Sequence, residues 1–437
     1  MTLTLTLRVD GYMNEGTTII VGAGAVLDFN HRGIVPLMKN ITEEILNLGI
    51  TKVDGTKCLL IKDLHNHIIS RLEQVGRPEV TRLSPPQVNF EDMLHILEMC
   101  LAYSSCWHDE YLHWPAFPLF GCLFDPKPFL KKYNSIEFAR AAYSLEKRVM
   151  DIINQYDSDF NKDVYSEGWY RSFWNSIGRA DIFTLNYDST IENSLDSYED
   201  GFVTNICEEG YYRFSPKKYF ENPDKKTTIS HLHGSILYSE AKSFPFKYSI
   251  RDLVKNRDYT TACSNRINYQ CAPCNQAKEQ YIQPYIISGA RKTDKMLYAP
   301  YNTYLSNLAR KVMVNKRLII IGYSFGDLYL NEILNLGMDA HGKDFKVVII
   351  DKYSPNINTY PSLLQHIRNK CSSGTYTFIS RLAQDRVYIE IGQKEYPLTV
   401  SNYDTPIISK NGNLLMCIGG FKNTVEKHFD IIKDFLN

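Results

Sequence analysis

The stretch Thr17–Phe29, TTIIVGAGAVLDF, decides how this chain is read. Five β-branched residues run into Gly-Ala-Gly and then straight into an apolar, helix-like segment. The simplest structure for that order is a buried strand ending in a tight turn that hands over to a helix, with backbone N–H groups pointing at an anion. A nucleotide is the ligand such a turn suggests. GAGA, Gly22 to Ala25, falls short of a full dinucleotide fingerprint, because Leu27 stands near the place of the third glycine. Taken alone, those four residues fit a plain strand-to-helix turn equally well.

Position along the chain adds weight. Further apolar runs end in polar clusters: ADIFTLNYD from Ala180, TTISHLHGSI from Thr227, RLIIIGYSFGD from Arg317 and FKVVIIDKYSP from Phe345. YIQPYIIS, 281–288, reads as one more strand, and NTYLSNLARKVMV, 302–314, as a helix between strands. Nearly all-apolar strands alternating with helices predict a parallel sheet covered on both faces, with ligands bound beyond the carboxyl ends of the strands. Between the first and second strands, GIVPLMKNITEEILNL, CLLIKDLHNHIISRLEQV, FEDMLHILEMCLAYSS and SIEFARAAYSLEKRVMDIINQY carry helical spacing. The aromatic segment Trp107–Phe120 joins two of these and reads as core packing, or alternatively as a gate or interface. The expected organisation is a sheet domain over 1–360, interrupted by a helical insertion at about 77–170, and a mixed β/α extension over 361–437 packed on the core. In that extension TYTFISRL and DRVYIEIG read as β-prone, and NTVEKHFDIIKDFLN as a closing helix.

Composition narrows the class. Lysine plus arginine (49) equal aspartate plus glutamate (49), so no global field draws nucleic acid or an acidic membrane. No window approaches the roughly 18 apolar residues of a membrane span, and the N-terminus lacks a signal-peptide pattern. Cys58, Cys100, Cys122 and Cys417 are scattered singly among apolar residues, as reduced thiols would be. A cytoplasmic protein is expected.

Four blocks in order, GAGA, TLNYD (184–188), HLHGS (231–235) and IGYSFGD (321–327), give the chain a resemblance to the sirtuin-like NAD-binding proteins. It is most similar to the anti-phage defence branch, which degrades NAD+ rather than modifying proteins. The resemblance implies a Rossmann-like α/β fold, NAD+ as substrate and no required metal. It implies that Gly22, Ala23 and Gly24 line the pyrophosphate, that Asn186 and His233 form the catalytic pair at the nicotinamide ribose, and that Gly322, Ser324 and Asp327 bind nucleotide from the opposite side. Asp188 either caps the following segment, IENSLDSY, or orients the loop. Asp351, ending KVVIID, suits the adenosine ribose hydroxyls. His231 reads as structural.

The chain departs from the protein-deacylating members, which carry two Cys-x-x-Cys pairs. Here Cys271 and Cys274 make one pair, preceded by Cys263, which is short of four zinc ligands. That favours hydrolysis over deacylation. Asp28, Phe29 and Arg32 are loose counterparts of a segment that usually follows the glycine turn. The expected activity is therefore NAD+ glycohydrolysis by a defence effector that acts through abortive infection. The alternatives are an NAD-dependent deacylase and a non-catalytic sensor of NAD+ or ADP-ribose. A toxic effector needs restraint, so a homo-oligomer or a separately encoded partner is expected, either a helicase-like ATPase or an Argonaute-like subunit.

Overall fold

A computed structural model describes residues 16–29, 37–52, 54–75, 88–105, 127–161, 168–203, 210–222, 225–240, 253–266, 285–287, 295–352, 378–379, 381–382, 406–409 and 411–437. Its centre is a seven-stranded sheet built from β1 (Thr17–Val21), β4 (Ala180–Thr184), β6 (Thr228–His231), β9 (Arg317–Ile321), β10 (Lys346–Ile350), β11 (Ile407–Ile408) and β12 (Leu414–Cys417). The order is β11-β12-β10-β9-β1-β4-β6, and every pairing is parallel except β11 with β12. The first strand thus lies in the middle. The chain adds β4 and β6 on one side of it, then crosses to add β9, β10 and β12 on the other.

Successive side chains of these strands enter opposite cores. Ile20, Phe183, Leu318, Ile320, Val347 and Ile349 pack on one face against the helices Tyr301–Val314 and Leu328–His341. Ile19, Val21, Ile182, Ile319, Ile321, Val348 and Ile350 pack on the other against Gly168–Ser176 and Phe421–Leu436. Two buried faces explain why the strands read as unbroken apolar runs rather than as alternating patterns.

A third core belongs to helices. Met38–Ile45, Leu60–Val75, Phe90–Ser105 and Ser135–Asn161 share it. The helical unit, expected from about 77, therefore recruits both helices that precede that point, while Gly168–Ser176 packs under the sheet instead. Two short strands, β2 (Ile50–Thr51) and β3 (Lys57–Cys58), form a small hairpin beside it. A separate three-stranded sheet orders β5 (Tyr211–Arg213), β8 (Leu253–Asn256) and β7 (Tyr238–Glu240).

Some expectations are corrected. The strand expected over 281–288 is, in its described part (285–287), a single bridge between Ile286 and Gly234 outside the main sheet. Its sequence contains Pro284, which lacks a ladder donor. Of TYTFISRL, the described residues Phe378, Ile379, Arg381 and Leu382 are helical, not extended. In the C-terminal region β12 pairs with β10 and extends the sheet. The closing helix is present as Phe421–Leu436. The segments Trp107–Phe120 and DRVYIEIG lie outside the described residues.

Candidate active site at the carboxyl ends of the sheet

One registered row crosses six parallel strands: Cys417, Ile350, Ile321, Val21, Thr184 and His231. Every nucleotide or catalytic residue expected from the sequence follows this row within a few positions. Gly22, Ala23 and Gly24 follow Val21; Asn186 and Asp188 follow Thr184; His233 follows His231; Gly322, Ser324 and Asp327 follow Ile321; Asp351 follows Ile350. In a parallel sheet all carboxyl ends lie on one side, and the reversal of strand order beside β1 is the place where open α/β sheets bind ligands.

At that reversal the glycines let two loops touch through their backbones. The Gly22 N–H donates to the Ile321 carbonyl (2.9 Å) and the Gly24 N–H to the Gly322 carbonyl (2.9 Å). A Cβ on Gly24 would stand 2.7 Å from the Gly322 Cα. Gly322 has φ +60°, and a Cβ on it would stand 2.2 Å from the Ala25 nitrogen. Both turn amides are therefore spent on protein carbonyls. The helix expected after the turn is a single 3-10 turn, Ala23–Val26. Just beyond it, Asp28 accepts from the Lys422 N–H at the start of the C-terminal helix (3.0 Å) and pairs with Lys352 (2.6 Å). Phe29 is buried among Tyr156, Phe160, Trp169 and Tyr170. Arg32 lies outside the described residues.

Asn186 and His233 lie in the loops that follow the adjacent strands β4 and β6, each two residues beyond the Thr184–His231 pair. Asn186 is half-buried, its N–H donates to Thr184 Oγ1 (3.0 Å), and its side-chain amide makes no hydrogen bond among the described residues. The strand ends at His231, and His233 lies in the turn that follows. His233 Nε2 lies 3.2 Å from Asp327 Oδ2. The other oxygen of Asp327 caps the helix Leu328–His341, accepting from the N–H groups of Tyr329 (3.1 Å) and Leu330 (3.3 Å). One carboxylate thus joins the β9 loop, a helix N-terminus and the β6 turn. Tyr323 steadies it, since the Asp327 N–H donates to the Tyr323 hydroxyl (3.2 Å). Ser324 is exposed beside them.

Asp188 is buried, and its Oδ1 accepts both the N–H (3.1 Å) and the hydroxyl (2.5 Å) of Thr190. It closes the turn leading into a short 3-10 helix, Glu192–Ser194, where the sequence had suggested a longer helix. Burial, only partly opposed by the Thr190 hydrogen bonds, raises its pKa. Asp157, from the long helix Ser135–Asn161, accepts from the N–H and hydroxyl of the neighbouring Ser189. Burial and the nearby Asp188 push Asp157 up to about 7. The helical unit is thereby hydrogen-bonded to the loop that carries Asn186, and Tyr187 of that loop lies in the helical core.

His231 is buried with Nδ1 3.0 Å from the Asn186 carbonyl oxygen and Nε2 2.7 Å from Glu192 Oε1. Lys255 lies 3.9 Å from the same Glu192 oxygen and 2.6 Å from Asp200 Oδ2. Burial alone would lower the His231 pKa and raise that of Glu192. Their mutual attraction outweighs it, so His231 stands above its ordinary value and Glu192 below. Nothing local in the sequence marks Glu192, Lys255, Asp200 or Asp157 as neighbours of the site, because each meets its partner only through the fold.

Asp351 is half-buried and its Oδ1 accepts from the Lys352 N–H (2.8 Å). Cys263 sits on the helix Tyr259–Asn265 with its sulfur 3.7 Å from the Arg266 guanidinium. Cys271 and Cys274 lie outside the described residues. Among the described residues no group of three His, Cys, Asp or Glu could hold a metal ion, and no helix is long and apolar enough to cross a membrane.

Residues 180–370 match the family model of the SIR2-like domain. That span holds Asn186, His233, Asp327 and Asp351, and leaves the GAGA turn outside it. The match supports a sirtuin-like protein with an NAD-related function, and the mostly parallel, helix-flanked sheet agrees with it. No curated protein matches the chain.

Proposed function

We propose that this chain hydrolyses NAD+ to nicotinamide and ADP-ribose. The observation that carries the reading is the paired placement of Asn186 and His233 just beyond the Thr184–His231 register pair. One presents an amide unpartnered among the described residues, and the other an imidazole held by Asp327. Breaking the nicotinamide–ribose bond sends its electron pair to the nicotinamide ring, which leaves neutral, while C1′ becomes oxocarbenium-like. The oxygen of a water then bonds to C1′, and its proton is released. An amide that both donates and accepts can hold a ribose hydroxyl and the water together. With a proton on Nε2 directed to Asp327, a neutral His233 carries its lone pair on Nδ1, the nitrogen that would take the proton of the water.

In the cell the reading places the chain as an anti-phage defence effector that depletes NAD+. The ordered motif blocks support this, as does the absence of a second Cys-x-x-Cys pair from the sequence. Such an activity must be held in check in its own host, by self-assembly or by a separately encoded ATPase or Argonaute-like partner that shifts an inactive population on infection.

Nicotinamide release by purified protein, in the presence and absence of an acetyl-lysine peptide, tests the reading. Release without peptide, lowered about 100-fold or more in Asn186→Ala and in His233→Ala, is expected. Release only with peptide would indicate a deacylase, and NAD+ binding without release a sensor or an effector that lacks its activator.

A further inference from the structure

His231 ends β6 directly opposite Thr184, and from there its ring reaches two acceptors at once. A main-chain carbonyl can only accept, so the Nδ1 facing Asn186 carries a hydrogen. The Nε2 faces a carboxylate that is itself buried beside Lys255. His231, Glu192, Lys255 and Asp200 form a buried chain of alternating charge, so the ion pair is balanced without water. Among the described residues, Asp157, Asp188, Tyr170, Tyr198, Tyr238 and Tyr304 are the other titratable groups that face this cluster.

The consequence falls on Asn186. Its N–H is tied to the Thr184 hydroxyl and its carbonyl to His231. The flanking main chain is pinned as well, with the Leu185 N–H on the Val21 carbonyl (2.8 Å) and the Leu232 N–H on the Thr184 carbonyl (2.9 Å). Both main-chain polar groups of Asn186 are held by the protein, while its side-chain amide makes no hydrogen bond among the described residues.

We propose that His231, braced by Glu192, is a positioning residue that aims the Asn186 amide by holding the Asn186 carbonyl. The inference rests on the reading of Asn186 as a group that acts on the nicotinamide ribose. His231 itself touches no reacting atom.

The test is a double-mutant cycle on the full chain. His231→Phe keeps a ring and removes both donors; His231→Asn restores a donor near the Nδ1 position. His231→Phe is expected to lower kcat about 100-fold with KM within about threefold, as a misplaced catalytic group does. His231→Asn is expected to recover roughly tenfold of that loss. On an Asn186→Ala background His231→Phe should cost nothing further, because the effect passes through Asn186. A kcat within about threefold of the parent overturns the proposal, and so does a loss repeated in full on the Asn186→Ala background. If His231→Phe fails to fold, Glu192→Gln carries the same cycle, with a loss of about tenfold that vanishes on Asn186→Ala. A parent that releases no nicotinamide, as a sensor or an effector still held in check would, bears on the hydrolase reading and not on this proposal. The cycle is then read from NAD+ affinity by calorimetry, where coupling of threefold or more between positions 231 and 186 supports the proposal and independent effects overturn it.

Discussion

Asn186 is a polar residue that the fold leaves unpaired among the described residues at a half-buried position, while its neighbours are bonded in almost every direction. A half-buried amide with no partner among the described residues is open to solvent or to a ligand, whereas a fully buried one would have to be paired. Asn186 and His233 could be picked out in the sequence because each follows an apolar strand by a fixed step, which is a local signal. Glu192 could not, since it meets His231 across the sheet edge. The pair it forms has a pH signature. The pKa of His231 is raised, so its stabilisation is present below the unfolded value of about 6.5 and is lost as pH climbs through the folded one. Glu192 is lowered, so its share is present above about 4.5 and is lost as pH falls through the folded value. Glu192→Gln is therefore expected to cost on the order of 1–3 kcal/mol near pH 6, a loss that shrinks as pH rises through the folded value of His231. Denaturant unfolding followed across pH would show it, and no loss near pH 6 would contradict the ion pair.

At the scale of elements, the loops after β1 and β9 behave as one piece, closed by amide-to-carbonyl bonds that only glycines allow. Gly322→Ala would need a Cβ 2.2 Å from the Ala25 nitrogen at a φ of +60°, so a loss of roughly 3 kcal/mol or more is expected. Gly326→Ala meets only Ser324 Oγ at 3.6 Å and should change stability by less than about 1 kcal/mol. Thermal unfolding of the two variants separates them, and similar midpoints would refute the contact. β1, β9 and β10 were legible because each is buried on both faces and reads as a run of β-branched and apolar residues. YIQPYIIS has the same composition yet joins no main-sheet ladder in its described part, and only its proline hints at that. The two-residue strands β2, β3 and β11 are too short to leave any period in the sequence.

Across the whole molecule, the helical unit is fastened to the loop it covers. Asp157 reaches Ser189, Tyr187 enters the helical core, and the buried Lys295 pairs with Glu98 at 2.8 Å. The helices themselves were legible from their spacing, but their start at Met38 and their grip on the Asn186 loop depend on packing between distant segments. Because burial raises Asp157 to about 7, the folded protein holds that proton more tightly than the unfolded chain, and stability falls as pH rises from about 4 through 7. Asp157→Asn can keep both bonds to Ser189 without a charge to bury. Relative to the parent it should gain stability between pH 5 and pH 8, by up to about 4 kcal/mol. A gain that does not change with pH would remove Asp157 from this account. Cleavage of NAD+ at the carboxyl ends of the sheet is tested by nicotinamide release from NAD+ alone, by the parent beside Asn186→Ala. Release by the parent that nearly vanishes in the variant is expected; undiminished release by Asn186→Ala, or release only when an acetyl-lysine peptide is added, would rule that cleavage out.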